Sequence, residues 1–229
     1  MLLFRRAVEE DVPQIVSFTQ DTWEWGDYIP RVIGRWVKEG RAYVAESNGV
    51  IVAVAAMTIV GKSAYLQGLR VRKEARGRGV GEAMTRFMLD EAKRRGAQVA
   101  TLLVAEWNTP SHNLVKKVGF KEKAVVYGGK PLGSGGGKCL GGLEAYEALA
   151  EALGETRGYA CLPDEPWVCT AVTPWDLLSR GTPCVGEGLY IGRFSFGKAQ
   201  GPPDLDVTSF SPEGYRERYP AHILYAIEL

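Results

Sequence analysis

The sequence predicts an α+β (mixed α/β) fold, in which helices pack against one sheet in the first half of the chain and a smaller α+β extension follows. Two observations predict it. The spacing of apolar residues along residues 1–127 alternates between the period of a strand and that of a helix. The chain has 229 residues, of which 45% are hydrophobic and 24% charged, and this composition excludes a disordered or collagen-like protein.

Residues 1–60 predict a strand, two helices and a hairpin. Residues 4–8 are expected to form a strand, and the acidic residues 9–11 to open a helix. Pro30 suits the first turn of a second helix, which Gly40 can end. The pair Asn48 and Gly49 predicts a tight turn between strands at 42–46 and 50–60, because both residues readily take positive φ angles.

Residues 61–127 continue this pattern. A strand at 64–71 is followed by a helix whose apolar stripe includes Val80 and Met84, and basic residues close that helix before Gly96. A buried strand at 99–105 comes next, then a short helix that Thr109 caps, then a strand at 120–127. The predicted order is therefore strand, two helices, three antiparallel strands, helix, strand, helix and strand.

Residues 128–142 are rich in glycine and predict a flexible linker. The linker would join a first domain at 1–127 to a C-terminal α+β extension at 143–229. Within the extension we expect a helix at 143–153 and a closing strand at 223–229, and that strand could be the last one of the sheet.

Charge and hydropathy narrow the class of protein. The 28 basic residues almost balance the 27 acidic ones, but basic residues exceed acidic ones in 1–127 and the reverse holds in 128–229. The longest apolar run, at 50–60, is too short for a membrane helix, and the N-terminal segment becomes acidic before a signal-peptide core can form. The sequence therefore predicts a cytoplasmic protein with no membrane partner, and it leaves the oligomeric state open.

The cysteines and histidines do not indicate a metal site. No two cysteines have C-x-x-C spacing, and neither His112 nor His222 has zinc-site spacing to a cysteine. We expect His112 to face solvent. Buried or idle free thiols are the expected state of the cysteines, and disulfides are the alternative. The four cysteines are Cys139, Cys161, Cys169 and Cys184.

The segment between the strand at 64–71 and the following helix is the main candidate binding site. It consists of Arg76, Gly77, Arg78, Gly79, Val80 and Gly81. Glycines allow close approach of a ligand, and a helix N-terminus presents unpaired N–H groups, so the loop predicts a pyrophosphate cradle. A plain basic surface or a nucleic-acid patch is the alternative, although the basic residues cluster at one turn and lack interleaved aromatic residues. The loop has neither the context of a Rossmann site nor a Walker Gly-Lys-Ser/Thr.

Two sequence motifs follow one another, Arg76-x-x-Gly79-x-Gly81 and a second one at residues 108–120. The first resembles the Q/R-x-x-G-x-G/A motif of the GNAT superfamily of acyl-CoA-dependent N-acyltransferases, and it follows a strand that ends in Leu69-Arg70-Val71. Asn108-x-x-Ser111-x-x-Leu114-x-x-x-x-Gly119-Phe120 is similar to its second signature. The resemblance covers residues 1–127, and it implies a sheet that splays between the strands ending at residues 71 and 105.

The resemblance also implies acetyl-CoA as co-substrate and gives roles to residues. The backbone of Leu69, Arg70 and Val71 would pair with the pantetheine arm, the amides of residues 76–81 would hold the pyrophosphate, and Asn108 and Ser111 would flank the thiol. The expected activity is direct acetyl transfer to a primary amine of a small molecule, an amino acid or a peptide N-terminus. No nucleic-acid partner is expected.

The catalytic side chains are less well indicated, because this sequence departs from the family pattern at two positions. Gln67 replaces the frequent glutamate, and Val115 replaces the frequent tyrosine. Glu106, just after the strand at 99–105, is the candidate base. Tyr28 is a candidate catalytic and substrate-binding residue. The other candidate substrate-binding residues are Trp25, Asp27 and Gln67.

A narrower resemblance links the segments 26–30, 66–71 and 76–80 to the histidine N-acetyltransferase-like branch. The extension at 143–229 carries no catalytic motif, and its acidity beside the basic loop suggests a lid or wall of the acceptor site. A degenerate GNAT-like half and a plain stabilising extension are the alternatives. A noncatalytic acyl-CoA-binding sensor is the alternative to an enzyme, since both Gln67 and Val115 lack acid–base chemistry.

Overall fold

Strands and helices alternate along the chain in a computed structural model that describes residues 1–133 and 135–229. The mixed α/β class predicted from the sequence is confirmed. The chain divides into a first unit, Met1–Thr58 with Leu66–Gly96, and a second unit, Ile59–Tyr65 with Ala97–Leu229. In the described part of the chain, no helix is long and apolar enough to cross a membrane.

The first unit contains the elements expected for residues 1–96. In chain order they are β1 (Leu3–Arg6), α1 (Val12–Thr19), α2 (Ile29–Lys38), β2 (Ala42–Ser47), β3 (Val50–Val60), β4 (Ser63–Val71) and α3 (Val80–Arg94). The tip of the β3–β4 hairpin is counted with the second unit. The strand order is β1-β2-β3-β4, with β1 and β3 antiparallel to β2.

The helix α2 shows why this part of the sequence folds as it does. Ile29, Ile33, Trp36 and Val37 are buried on one face of α2. Their spacing of three and four positions places them on the same side of a helix. They join the buried core formed with α1 and with residues of β2 and β3. Burial of this apolar stripe fixes the start of α2 against the sheet.

The second unit contains the remaining elements. They are β5 (Val99–Ala105), α4 (Thr109–Val118), β6 (Lys121–Pro131), β7 (Lys138–Cys139), α5 (Gly142–Glu155), β8 (Tyr159–Cys161), β9 (Cys169–Ala171), α6 (Pro174–Leu178), β10 (Pro183–Val185), β11 (Leu189–Ile191), β12 (Phe194–Ser195), β13 (Val207–Ser209), β14 (Tyr215–Arg218) and β15 (His222–Glu228). The first residues of β4 pair in parallel with β5 at three positions, and this ladder ends at Tyr65 and Thr101.

The strand β15 lies between β5 and β6 and is antiparallel to both. His222 pairs with Ala105 on one side and with Val126 on the other. Residues 132–221 are therefore an insertion between two neighbouring strands, β6 and β15. Within that insertion, β13 and β14 both pair with β6 and extend the sheet.

The glycine-rich stretch at 128–142 is ordered at its start, because its first residues continue β6. Added side chains would collide there: a Cβ on Gly128 would meet the Trp167 ring, and one on Gly129 would meet the Glu217 backbone. These glycines allow close packing instead of mobility. Residue 134 lies outside the described residues. The division into domains at 1–127, 128–142 and 143–229 stays a prediction.

The cysteines form two disulfides, so the expectation of free thiols is wrong. Cys139 is bonded to Cys184, and Cys161 to Cys169. Each bond joins residues that face each other in a strand pair, β7 with β10 and β8 with β9. The register of these strands brings the sulfur atoms together, and spacing along the sequence does not reveal it. Disulfides persist mainly in oxidising compartments, and a cytoplasmic location stays a prediction.

Candidate functional site

The glycine loop before α3 has the backbone shape expected of an anion site. Gly77 and Gly79 have φ angles of 72° and 77°, a region that disfavours other residues. No atom lies within 4 Å of a Cβ added at either glycine, so their surface is open to a ligand. The buried side chain of Val80 anchors the first turn of α3 below the loop. The N–H groups of that first turn have no acceptor within the helix, and they carry the positive end of its dipole.

The two arginines of this loop are exposed but differ in their partners. Arg76 donates from Nε to the Val71 carbonyl oxygen at 3.0 Å, which ties the loop to the end of β4. Arg78 forms no ion pair among residues 1–133 and 135–229. Arg78 is therefore the loop cation that is available for a phosphate.

The strand β4 changes direction at Gly68, whose φ is +68°. A Cβ at this position would lie 2.8 Å from Trp36 Cζ3 and 3.0 Å from Ile29 Cδ1. Only glycine combines this backbone conformation with this packing. The positive φ at Gly68 turns the backbone between Gln67 and Leu69, so it changes the direction of the N–H groups of Leu69, Arg70 and Val71.

Asp27 and Arg70 form an ion pair that the sequence did not indicate. Arg70 donates from Nε to Oδ2 of Asp27 at 2.5 Å and from Nη2 to Oδ1 at 3.0 Å. The Asp27 side chain is 0% exposed. Burial alone would raise the pKa of Asp27, but hydrogen bonds from Arg70 and Thr22 outweigh it and hold that pKa below its usual value. The carboxylate of Asp27 thus holds Arg70 in place, while its role in substrate binding stays a prediction.

Tyr28 lies beside this ion pair. The Arg70 guanidinium is 5.5 Å from the centroid of the Tyr28 ring, and the ring meets Trp36 edge-on. Burial around the hydroxyl raises the pKa of Tyr28, and the positive charge of Arg70 opposes this. The residue as a whole is 39% exposed. Tyr28 is therefore a neutral hydroxyl near neutral pH, suited to donate a hydrogen bond.

The other two candidate substrate-binding residues of the first unit differ in exposure. Trp25 is 74% exposed and stacks on Trp23 with ring centroids 5.9 Å apart. Gln67 is half-buried and donates from Nε2 to Thr58 Oγ1 at 3.3 Å. Arg41 donates to the same oxygen at 2.8 Å. Gln67 and Arg41 thus share the Thr58 hydroxyl oxygen as acceptor.

Glu106, Asn108 and Ser111 all lie in the second unit, where β5 leads into α4. The Glu106 side chain is exposed, and its Oε1 accepts from the Ala221 N–H at 3.1 Å. Asn108, and not Thr109, is the N-cap of α4, because its Oδ1 accepts from the Ser111 N–H at 3.3 Å. A role of Asn108 and Ser111 beside a thiol stays a prediction.

His112 does not point freely into solvent, so that expectation is wrong. Its side chain is half-buried, with Nδ1 2.9 Å from the Tyr225 hydroxyl and Nε2 3.1 Å from the Ala105 carbonyl oxygen. The Tyr225 hydroxyl also donates to Glu122 at 3.0 Å. Burial raises the pKa of Tyr225. No residue near His112 in the sequence indicates this network, because β15 brings Tyr225 to α4 from far along the chain.

The second signature position at 115 contributes to the core. Val115 is buried in α4 and is 4% exposed. Within residues 1–133 and 135–229, no cluster of three or more histidine, cysteine or acidic residues is arranged to hold a metal ion.

A known protein family matches the part of the chain that contains the glycine loop and α4. Residues 12–120 match the acetyltransferase (GNAT) family. The match spans 109 of the 229 residues. The match contains β4, the glycine loop and α4, so both sequence motifs lie within the GNAT region. The resemblance stated from the motifs is confirmed.

Curated relatives of this GNAT region include histidine N-acetyltransferases. That of Oreochromis niloticus is 30% identical over 102 residues, which are 43% of this chain and 30% of that protein. That of Xenopus tropicalis is 29% identical over 103 residues, 43% of this chain and 32% of that protein. The chain spans about a third of the length of the curated relatives it matches.

A solved structure extends the likeness of the fold to almost the whole chain. A putative acetyltransferase from Thermoplasma acidophilum has a TM-score of 0.55 and 18% identity, and the match covers 99% of this chain and 100% of that one. This likeness shows that the GNAT fold class predicted for the chain is correct.

Proposed function

We propose that this GNAT protein transfers acetyl from acetyl-CoA directly to a primary amine of a small molecule, an amino acid or a peptide N-terminus. The observation that carries the proposal is the open glycine loop at the start of α3, inside the GNAT match. Acetyltransferase activity is the function of the family that this region matches.

The loop fits the phosphates of CoA. The space above Gly77 and Gly79 would be filled by side chains at any other residue type, and it adjoins helix N–H groups and the guanidinium of Arg78. Charge-assisted hydrogen bonds from arginine to phosphate are about twice as strong as neutral ones. The backbone of Leu69–Val71 would pair with the pantetheine arm, and Asn108 and Ser111 would lie beside the thiol.

The chemistry requires a base, an oxyanion donor and a proton for the leaving thiolate. Glu106 would take one proton from the substrate ammonium, so that the neutral nitrogen attacks the thioester carbonyl. Backbone N–H groups of Leu69–Val71 would stabilise the oxyanion. When the C–S bond breaks, the nitrogen loses its second proton, the thiolate takes up one proton, and Glu106 returns the other to solvent. Tyr28 would contact the substrate through its hydroxyl.

The second candidate function is that of an acyl-CoA-binding sensor without catalysis. It is favoured by the amide of Gln67 and by the buried Val115, neither of which can transfer a proton. A sensor would bind acetyl-CoA and release no thiol in the presence of amines, so turnover separates the two functions.

The test is a screen for thiol release from acetyl-CoA with amino acids, polyamines, aminoglycosides and peptides. Gly79→Asp serves as the control, since an aspartate in the loop would repel the phosphates and strain the backbone. We expect turnover with at least one amine class and loss of acetyl-CoA binding in Gly79→Asp. Absence of CoA binding by the wild type would refute both candidate functions.

A further inference from the structure

An open cavity lies entirely within the second unit, at the end of β15 where the chain arrives from β14. Its volume is about 600 Å³, a size that suits a small ligand. Val125, Pro220 and Ile223 give it an apolar wall, and Glu106 and Arg218 give it two charged groups.

These two charged groups lack charged partners. Among the residues that the structure describes, neither Glu106 nor Arg218 forms an ion pair, and they do not pair with each other. Glu106 accepts from the Ala221 N–H through Oε1. The neighbouring Lys130 and Asp206, by contrast, pair with each other at 2.8 Å. A carboxylate and a guanidinium that face one cavity without meeting leave room for a ligand that carries both charges.

The position of Arg218 is set by the backbone. β14 bulges between Tyr215 and Glu217, and Arg218 then pairs with Gly129 of β6. The backbone of β14 approaches Gly129 so closely that no side chain fits there. The Arg218 guanidinium consequently lies over the ring of Tyr127, 5.4 Å from its centroid. The ring attracts the guanidinium through a cation–π contact. Among the residues that the structure describes, the Arg218 side chain forms no hydrogen bond, so its N–H groups can bind a carboxylate in bidentate fashion.

We propose that this cavity binds a zwitterionic α-amino acid, with its ammonium at Glu106, its carboxylate at Arg218 and an apolar or aromatic side chain against Val125 and Ile223. The inference rests on the proposed function in one respect, since it identifies the bound amino acid as the acetyl acceptor. The ammonium at Glu106 is the group that loses a proton to that carboxylate before attack. Arg218 is then the residue that selects acceptors bearing a carboxylate.

The experiment measures binding by calorimetry without acetyl-CoA, using leucine, phenylalanine and histidine. Each is compared with the amine that lacks the carboxylate and with the acid that lacks the amino group. We expect the amino acid to bind about tenfold or more tightly than either analogue, since a hydrogen bond to a charged group contributes that much. Arg218→Met should remove the advantage over the amine, and Arg218→Lys should restore part of it.

Two further variants make the result specific. Glu106→Gln should weaken the binding of the amino acid and of the amine, and it should leave the binding of the acid unaffected. Arg216→Met, an exposed arginine on the same strand whose Nη2 contacts the Pro203 carbonyl oxygen, should change none of the affinities. The inference is overturned if no amino acid of the panel binds, or if Arg218→Met lowers the affinities for amino acid and amine equally.

Thiol release with the same panel separates this inference from the proposed function. If the binding pattern holds and no amine is acetylated, the proposed function fails and the zwitterion site stands without an acceptor role. If amines are acetylated and Arg218→Met leaves the KM ratio of amino acid to amine unchanged, the inference fails alone.

Discussion

Replacing Gly68 by alanine tests whether the turn in β4 depends on its packing against α2. The residue has a φ of +68°, and forcing an alanine into that region costs about 1–2 kcal/mol. The new Cβ would lie 2.8 Å from Trp36 Cζ3 and 3.0 Å from Ile29 Cδ1, and such overpacking adds about 1–3 kcal/mol. We therefore expect Gly68→Ala to lower the free energy of unfolding by about 2–5 kcal/mol in total.

The matched control is Gly77→Ala. Gly77 has a φ of 72°, but no atom lies within 4 Å of its added Cβ. Only the cost of the positive φ angle applies at Gly77, so the free energy of unfolding should fall by about 1–2 kcal/mol. Urea denaturation followed by tryptophan fluorescence measures both variants. Equal losses of stability in the two variants would refute the claim that Trp36 and Ile29 require a glycine at position 68.

Three further predictions concern the ion pair, a disulfide and the candidate base. Asp27→Asn should lower the free energy of unfolding by about 3 kcal/mol, because it leaves Arg70 buried without its partner. Since the pKa of Asp27 is lowered on folding, its contribution is complete above the unfolded pKa of about 3.9 and falls as acid protonates the folded carboxylate. Urea titrations at several pH values measure the difference in stability between wild type and variant. This difference should shrink below about pH 4, and a difference that stays constant would contradict the prediction. Replacing Cys139 and Cys184 by serine opens a loop of 45 residues and should lower the free energy of unfolding by up to about 4 kcal/mol. The unfolding midpoint in urea should fall accordingly, and an unchanged midpoint would contradict the presence of that disulfide. Glu106→Gln should lower kcat by about 100-fold or more while calorimetry shows nearly unchanged CoA affinity, and an unchanged kcat would remove it from the mechanism.

Local signals predicted most elements of the first 127 residues. Asn48 and Gly49 have φ angles of 51° and 77°, as the predicted turn requires. The apolar run at 99–105 matches β5, and the stripe from Val80 matches α3. These elements follow from neighbouring residues alone, through periodicity, turn residues and caps. The end of β6 was predicted wrongly: Gly128 and Gly129 indicated that the strand ends at residue 127, whereas β6 continues to Pro131.

Contacts between distant residues account for what the sequence did not reveal in the candidate site. The glycine loop was recognisable because its motif consists of residues that are close together in the sequence. The partner of Asp27 was not, since Arg70 reaches it through the fold of β4. Likewise, nothing next to Glu106 in the sequence indicated that Arg218 would line the same cavity. Such pairings depend on strand register, which single residues do not report.

The location of β15 between β5 and β6 has a consequence for biosynthesis. As the ribosome makes the chain, β5 and β6 emerge well before residues 222–228, and the edges that later face β15 are unpaired during that interval. Unpaired edges invite association with other chains. A nascent chain halted anywhere in 132–221 therefore lacks an interior strand, and we expect it to depend on chaperones until β15 is inserted.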